Sequence, residues 1–444
     1  MRFDVEVIGG GLAGVEAAFR LARMGFSVGL YEMRPERRSP VHRTHLLGEL
    51  VCSNSLGADQ ETSPAGILKA ELRRLGSPVM ASADRNRVPA GRALAVDREG
   101  FARDLTDMVS SLPNVTVVRR EVTSIPTGPC ILATGPLTEG EMAEALRAVA
   151  GGEDGRFLYF YDAASPIVTI DSVDMSRAYR GSRYGQGEDY VNCPLTREEY
   201  LAFWEALVSA RQAPRHQFEE PRFFEGCLPV EEIARRGVDT LRFGPMRPVG
   251  LPGPDGREPY AVVQLRQDDR EGRLYNLVGF QTNLLWGEQE RVFRMIPALR
   301  DAEFVRKGVM HRNLYVCAPK VLDGYLRPLG AHRRDLFLAG QITGVEGYLE
   351  SAAMGLCAAM FMGCVLKGLE LPHLPPETAL GSLLRHLREA RPEGFQPMNV
   401  NLGIFPPLEE RIRDRRERCA RYFRRALEAL EAFLRENPHL DTAG

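Results

Sequence analysis

Two of the eight cysteines in this 444-residue sequence sit where a thiol could react. Cys52 lies in Leu50-Val51-Cys52-Ser53-Asn54-Ser55-Leu56-Gly57, among small hydrogen-bonding residues. Cys227 lies in Phe224-Glu225-Gly226-Cys227-Leu228-Pro229-Val230-Glu231, where Pro229 can occupy the first turn of a helix running to Gly237. A thiol beside a helix N-terminus feels the positive end of the dipole, which favours the nucleophilic thiolate. Cys130, Cys357, Cys364 and Cys419 fall instead in apolar strand or helix patterns, where cysteine packs as a small hydrophobe. There is no CxxC pair, which argues against a zinc module and a disulfide framework. His42-Arg43-Thr44-His45 lacks the further ligands a metal needs, so no metal is expected.

The elements that would position such chemistry begin at the first strand. Phe3 to Ile8 alternates and then turns apolar, and Gly9-Gly10-Gly11-Leu12-Ala13-Gly14 follows at once. Ala17, Ala18, Leu21, Ala22 and Met24 carry helical spacing to Gly25, and Phe26 to Tyr31 reads as a second strand ending on Glu32. This is a dinucleotide-binding fingerprint. Gly9 permits the tight turn, Gly11 lets the backbone approach a pyrophosphate, and Gly14 allows close helix–strand packing. Glu32 falls where a carboxylate can accept ribose hydroxyls.

Length allows two or three domains, and a net charge of −2 gives no global pull toward nucleic acid. Lysine occurs only at 69, 307, 320 and 367, a bias compatible with a GC-rich or heat-adapted source. With the first strand beginning at residue 3, no signal peptide is expected. The apolar run Ala352 to Leu366 is glycine-interrupted and too short to span a bilayer, so a soluble, cytoplasmic protein is expected.

Met33 to Ser63 lacks periodicity and reads as a long functional loop, followed by helices over Pro64 to Leu75 and Asp97 to Leu112. Short strands at Val115–Val118 and Cys130–Ala133 follow, the second running into Thr134-Gly135. That ending is common beneath the cofactor of FAD enzymes, and equally fits a core strand before a turn. From about Phe157 the texture becomes aromatic with short strands. It includes a capping box at Thr196–Glu199 and a hairpin of Tyr260–Leu265 with Leu274–Phe280.

After Met310 a buried strand reaches Gly340-Gln341, and Gly347-Tyr348 opens an apolar helix to Leu366. Glutathione-reductase-type FAD domains aim a second helix N-terminus at the flavin in this way. The expected fold class is therefore α/β: a glutathione-reductase-type FAD-binding (Rossmann-like) domain in two parts, 1–156 and 310–444. An inserted α+β domain over 157–309 splits it, and a C-terminal helix from about Leu408 to Asn437 closes it. Eight arginines between Arg411 and Arg425 could grip phosphates or form a solvated helix face.

Several stretches together resemble one family: Gly-Gly-Gly-Leu-Ala-Gly at 9–14, Leu-Val-Cys-Ser-Asn-Ser-Leu at 50–56 and Val-Asn-Cys-Pro-Leu at 191–195. Phe-Glu-Gly-Cys-Leu-Pro-Val-Glu at 224–231, Phe-Gly-Pro-Met-Arg-Pro-Val-Gly-Leu at 243–251 and Val-Gln-Leu-Arg-Gln-Asp-Asp at 263–269 belong to the same set. So do Gly-Gln-Ile-Thr-Gly-Val-Glu-Gly-Tyr at 340–348 and Pro-Met-Asn-Val-Asn-Leu-Gly-Ile-Phe-Pro-Pro-Leu at 397–408. The chain thus resembles, nearly end to end, the folate- and FAD-dependent tRNA (uracil-5-)-methyltransferases, relatives of the glucose-inhibited-division-type tRNA-modifying subunit. The resemblance implies ribothymidine formation in the T arm of tRNA, with carbon from 5,10-methylenetetrahydrofolate and electrons from FAD reduced by NADH or NADPH. It implies Cys227 and Cys52 as the two catalytic thiols. Cys227 is favoured as nucleophile by its helix-start setting, and Cys52 as the assisting or proton-handling thiol. Gly9, Gly11, Gly14, Glu32, Gly135, Gly340, Gln341, Gly347 and Tyr348 are the expected cofactor contacts. A flavin disulfide reductase is disfavoured by the lack of a close cysteine pair and of a second GxGxxG. The main alternative is a flavin-bound tRNA-modification subunit that needs a partner protein; oligomeric state stays open, and a monomer is compatible.

Overall fold

Valine and leucine strands with no exposed face have to be covered on both sides, and the first sheet is built that way. The computed structural model describes residues 2–39, 41–150, 157–214 and 228–441. Its central sheet has five parallel strands in the order Leu336–Leu338, Cys130–Leu132, Val5–Ile8, Val28–Glu32, Val115–Arg119. Val5, Val7, Val28, Leu30, Ile131 and Phe337 are fully buried in it. The strand Leu336–Leu338 arrives more than 200 residues after its neighbour at Cys130–Leu132.

The helix Leu12–Arg23 packs against the helix Tyr348–Leu366, and glycine makes the approach possible. A Cβ on Gly355 would lie 2.2 Å from the Ala13 carbonyl oxygen, and one on Gly340 would lie 2.9 Å from Ala13 Cβ. At 19 residues the second helix is long enough to cross a membrane, contrary to the length argument from sequence. What places it inside the fold is burial, since nearly every residue from Leu349 to Cys364 is covered by this core.

A second sheet of six antiparallel strands lies within residues 167–306. Its order is Tyr179–Arg180, Tyr190–Leu195, Ala261–Gln267, Leu274–Leu277, Ile167–Thr169, Phe304–Arg306. It has its own apolar core, in which Tyr200, Phe203, Phe280 and Phe293 are fully buried. Thr196 and Glu199 form the expected capping box, and the hairpin of 261–267 with 274–277 forms as anticipated. An antiparallel ribbon, Phe157–Ala163 with Met310–Val316, carries the chain into and out of this region.

Three features depart from the sequence reading. Ser55–Ala58, inside the stretch read as loop, pairs with Ala93–Val96 in a small three-stranded sheet. Four residues with one buried side chain, Leu56, carry too short an alternation to be recognised. The helices Pro78–Arg85, Gly140–Val149 and Ala379–Glu389 were not anticipated. The C-terminal helix begins at Arg415 rather than Leu408, because Asp414 caps it by accepting from the Glu417 N–H. Ile412 therefore lies outside it, and the buried stripe is Cys419, Tyr422, Ala426, Leu430, Phe433 and Leu434. Arg411, Arg413, Arg415, Arg416, Arg421 and Arg424 are exposed, whereas Arg425 donates to the carbonyls of Pro406 and Pro407.

The helix crossing gives a direct test. Gly355→Val sets a branched side chain against a backbone carbonyl that no rotamer change can move. It is expected to cost more than about 3 kcal/mol or abolish soluble expression. Gly287→Ala, on an exposed helical position with open space around it, is the control and should hold or raise the melting temperature.

Candidate active site

The carboxyl ends of the parallel strands open into a cleft of about 570 Å³, where α/β sheets of this kind bind ligands. Gly9, Gly11, Glu32, Cys52, Gly135, Gly340, Gln341, Gly347 and Tyr348 all line it. Gly14 does not. It sits behind the turn, where a Cβ would meet the Gly9 carbonyl oxygen at 1.8 Å. Gly9 itself has φ +110°, and its added Cβ would lie 2.3 Å from the Ala133 carbonyl oxygen. A Cβ on Gly11 meets nothing within 4 Å, so this position faces open cleft. Gly11 and Gly347 precede the two packed helices, neither with a side-chain cap, so both direct positive dipole ends there.

Glu32 is engaged more heavily than a ribose acceptor requires. Its carboxylate accepts from the Gly10 N–H at 3.0 Å, the Arg34 N–H at 3.0 Å and Arg34 Nε at 2.8 Å. Burial opposes its charge, but Arg34 and these N–H groups outweigh it and hold the pKa below the usual value. Arg34, itself buried, also pairs with Glu49 at 2.9 Å. Glu32 thus anchors the turn in addition to facing the cleft.

Cys52 is half-buried on the cleft wall, and its Sγ donates to Asp162 Oδ2 at 3.0 Å. The N–H groups of Cys52 and Ser53 donate to the Tyr348 phenol oxygen at 2.8 and 3.2 Å. Burial first, and then the Asp162 carboxylate, push the thiol pKa well up. Three arginines hold this loop in place. Arg98 donates to the Leu50 carbonyl at 2.9 Å, and Arg306 donates to that of Val51. Arg266 donates to Asn54 Oδ1 at 3.0 Å and Ser53 Oγ at 2.8 Å. Arg266 and Arg306 come from the six-stranded sheet, and Asp268, one residue past its Ala261–Gln267 strand, anchors Arg98 at 2.8 Å.

Sequence reasoning missed two acids at this wall. Asp162 is the single acid in the aromatic strand Phe157–Ala163, which is the signal that could have marked it. Glu346 stood unremarked inside the 340–348 stretch. It is buried and bonded by Gln341 Nε2. Burial and then the neighbouring Asp162 charge raise its pKa well above the carboxylate range, against the pull of Gln341. On the strand beside Asp162, the buried Asn313 lines the cleft, and its Oδ1 meets no donor among the described residues. Cys227 lies outside the described residues, as does the start of its 224–231 stretch. The helix that follows in sequence runs Val230–Arg235 with Pro229 preceding its first turn.

The parallel sheet, the glycine turn and the second helix N-terminus define an FAD-binding Rossmann-type domain carrying an antiparallel insertion. The family described as glucose inhibited division protein A matches residues 4–370. A methylenetetrahydrofolate–tRNA-(uracil-5-)-methyltransferase TrmFO of Moorella thermoacetica is 58% identical over 431 residues, 96% of this chain and 98% of that protein. Its counterpart in Anoxybacillus flavithermus is 54% identical over 435 residues, 98% of this chain and 100% of that protein. The solved structure of Aquifex aeolicus GidA (form I crystal) has a TM-score of 0.69 at 16% identity, covering 100% of this chain and 78% of that one. The chain belongs to the glucose-inhibited division protein A family and, within that relationship, to the methylenetetrahydrofolate–tRNA-(uracil-5-)-methyltransferases.

Tyr348 ties the Cys52 loop to the second helix. Tyr348→Phe removes the acceptor of two N–H groups and is expected to cost about 1–3 kcal/mol in urea unfolding. An unchanged midpoint and slope would show that neither bond contributes.

Proposed function

We propose that this chain methylates C5 of a T-arm uridine in tRNA, forming ribothymidine, with 5,10-methylenetetrahydrofolate as carbon donor and FAD as cofactor. The observation that carries the reading is the end-to-end identity of 52–58% to proteins named for this reaction, in a chain whose thiol-bearing loop closes one wall of a nucleotide cleft. NADH or NADPH is the reductant in this reading, and the cytoplasm is the location.

The residues present fit FAD. The open space in front of Gly11 admits a pyrophosphate that a side chain would exclude. The uncapped turns at Gly11 and Gly347 offer N–H groups to its phosphates and ring oxygens. Glu32, Gly135, Gly340, Gln341 and Tyr348 complete the wall that would hold it. When bound and reduced, FAD supplies the hydride equivalent that turns a methylene into a methyl group.

The chain's own residues do the rest. Uracil C5 is a poor nucleophile, and a thiolate bonded to C6 makes it an enolate able to attack an electrophilic methylene. Cys227 is assigned that bond. Cys52, held as a neutral thiol, is assigned the proton work at C5. Asn313 Oδ1 offers an acceptor to a ligand N–H at the same wall.

The test is purified protein incubated with unmodified tRNA, methylenetetrahydrofolate and NAD(P)H, followed by nucleoside analysis. Ribothymidine formed by the isolated chain is expected, and its absence until a partner protein is added would favour the subunit reading. With 5-fluorouridine at the target position, wild type should form a covalent adduct that Cys227→Ala loses while still binding FAD. An adduct mapped to Cys52 would exchange the two roles.

Gly11→Val should yield colourless protein, because its side chain would occupy the space reserved for phosphate. A fully yellow variant would contradict the placement.

A further inference from the structure

We propose that Asp162 is a positioning residue for the proton chemistry: it aims the Cys52 thiol into the cleft and takes its proton. This inference rests on the methyl-transfer reading.

The geometry supplies the parts. Asp162 Oδ2 accepts from Cys52 Sγ at 3.0 Å, and Oδ1 accepts from the Ala163 N–H at 2.8 Å. Both oxygens accept, as those of a carboxylate do. Asp162 is 4% exposed and Glu346 6% exposed, and both line the cleft. Burial first and then the Asp162 charge oppose ionisation of Glu346 in this wall. Among the described residues, the charged groups acting on the thiol include Asp162, Glu346 and Arg98, with the Tyr348 phenol beside them. Arg98 is a donor paired with Asp268, and Asp162 is an acceptor within hydrogen-bond reach of the thiol.

The step balances without a further reagent. The Cys52 S–H bond breaks, its proton bonds to Asp162 Oδ2, and the electron pair stays on sulfur. The C5–H bond of the alkylated uracil then breaks. Its proton bonds to that sulfur, and its electron pair stays in the ring as an enolate. Asp162 releases its proton to solvent through the cleft, and the thiol and carboxylate are restored.

The experiment reads the thiol directly. Cys52 alkylation by iodoacetamide is followed from pH 6 to 10 in the full flavin-bound chain, by peptide mass mapping that separates it from Cys227. Removing the Asp162 charge should make the thiolate easier to form. In Asp162→Asn the alkylation midpoint is expected to fall by about one pH unit or more, so that the rate at pH 8 rises about tenfold. Methylation of tRNA by the same variant should fall about 100-fold, because most Cys52 is still thiol when substrate fills the cleft and no carboxylate is then in reach to take its proton in each turnover. Glu346→Gln should shift the midpoint by clearly less than Asp162→Asn. Asp162→Glu keeps a carboxylate, so a thiol profile close to wild type with methylation partly restored is expected. It decides the question if Asp162→Asn fails to fold.

Coincident alkylation profiles in wild type and Asp162→Asn would overturn the proposal, as would methylation by Asp162→Asn within about threefold of wild type. Loss of all methylation in a well-folded Asp162→Glu would also overturn it. If wild type itself fails to methylate tRNA, the functional reading falls, and the thiol profiles still decide the Asp162 contact.

Discussion

Two helices meet backbone to backbone in this protein, and the cleft exists because they do. A Cβ on Gly355 would come within 2.2 Å of the Ala13 carbonyl oxygen, so the 348–366 helix lies directly on the 12–23 helix with no side chain between them. One helix starts at Gly11 and the other at Gly347, separated by more than 330 residues of chain. Packed this closely, they deliver two uncapped N-termini to the same opening. Larger residues at the crossing would separate them and spread the positive ends that an anionic cofactor needs close together. Gly340 repeats the device one strand away, where its hydrogen faces Ala13 and Ser351.

The second constraint is on the loop of residues 50–54, which has no regular structure able to hold a thiol still. Cations do that work. Arg98, Arg266 and Arg306 bind its carbonyls and polar side chains, and Asp268 and Asn276 satisfy what remains. Because Arg266 and Arg306 belong to the six-stranded sheet, the insertion positions the thiol as well as covering the cleft. At the end of one strand Arg266 binds the loop directly, and Asp268 acts on it through Arg98.

Where the signal was periodic or local, the sequence already showed the structure. Strand, glycines, helix and Glu32 could be read because each needs a particular residue type at a particular spacing. The Thr196–Glu199 capping box could be read for the same reason. The four-residue strand at Ser55–Ala58 and the start of the last helix at Arg415 could not, since each depends on one side chain, Leu56 or Asp414. At the site, Cys52 announced itself by its polar neighbours, whereas Asp162 is marked only by its partner. An acid in an aromatic strand has no chemistry until the fold sets a thiol 3.0 Å away.

Placing acids in such a wall has a thermodynamic consequence. Burial raises the pKa of Glu350 to about 7 even though it accepts the Val400 N–H, and burial likewise raises that of Glu346 well above its ordinary range. For groups raised on folding, the unfolded chain gives up its proton first, so their contribution to stability is complete below the ordinary carboxylate range. It is lost as pH rises through the folded value. Glu32 works in the opposite sense: lowered by Arg34, it contributes above the ordinary range and loses that contribution as pH falls. The anchor of the glycine turn is therefore at full strength throughout the pH window in which the acidic wall weakens the fold. An acidic wall is tolerable beside the cofactor turn because that turn is held by a carboxylate whose charge the fold favours, while Glu346, behind the thiol, is a carboxylate whose charge the fold opposes.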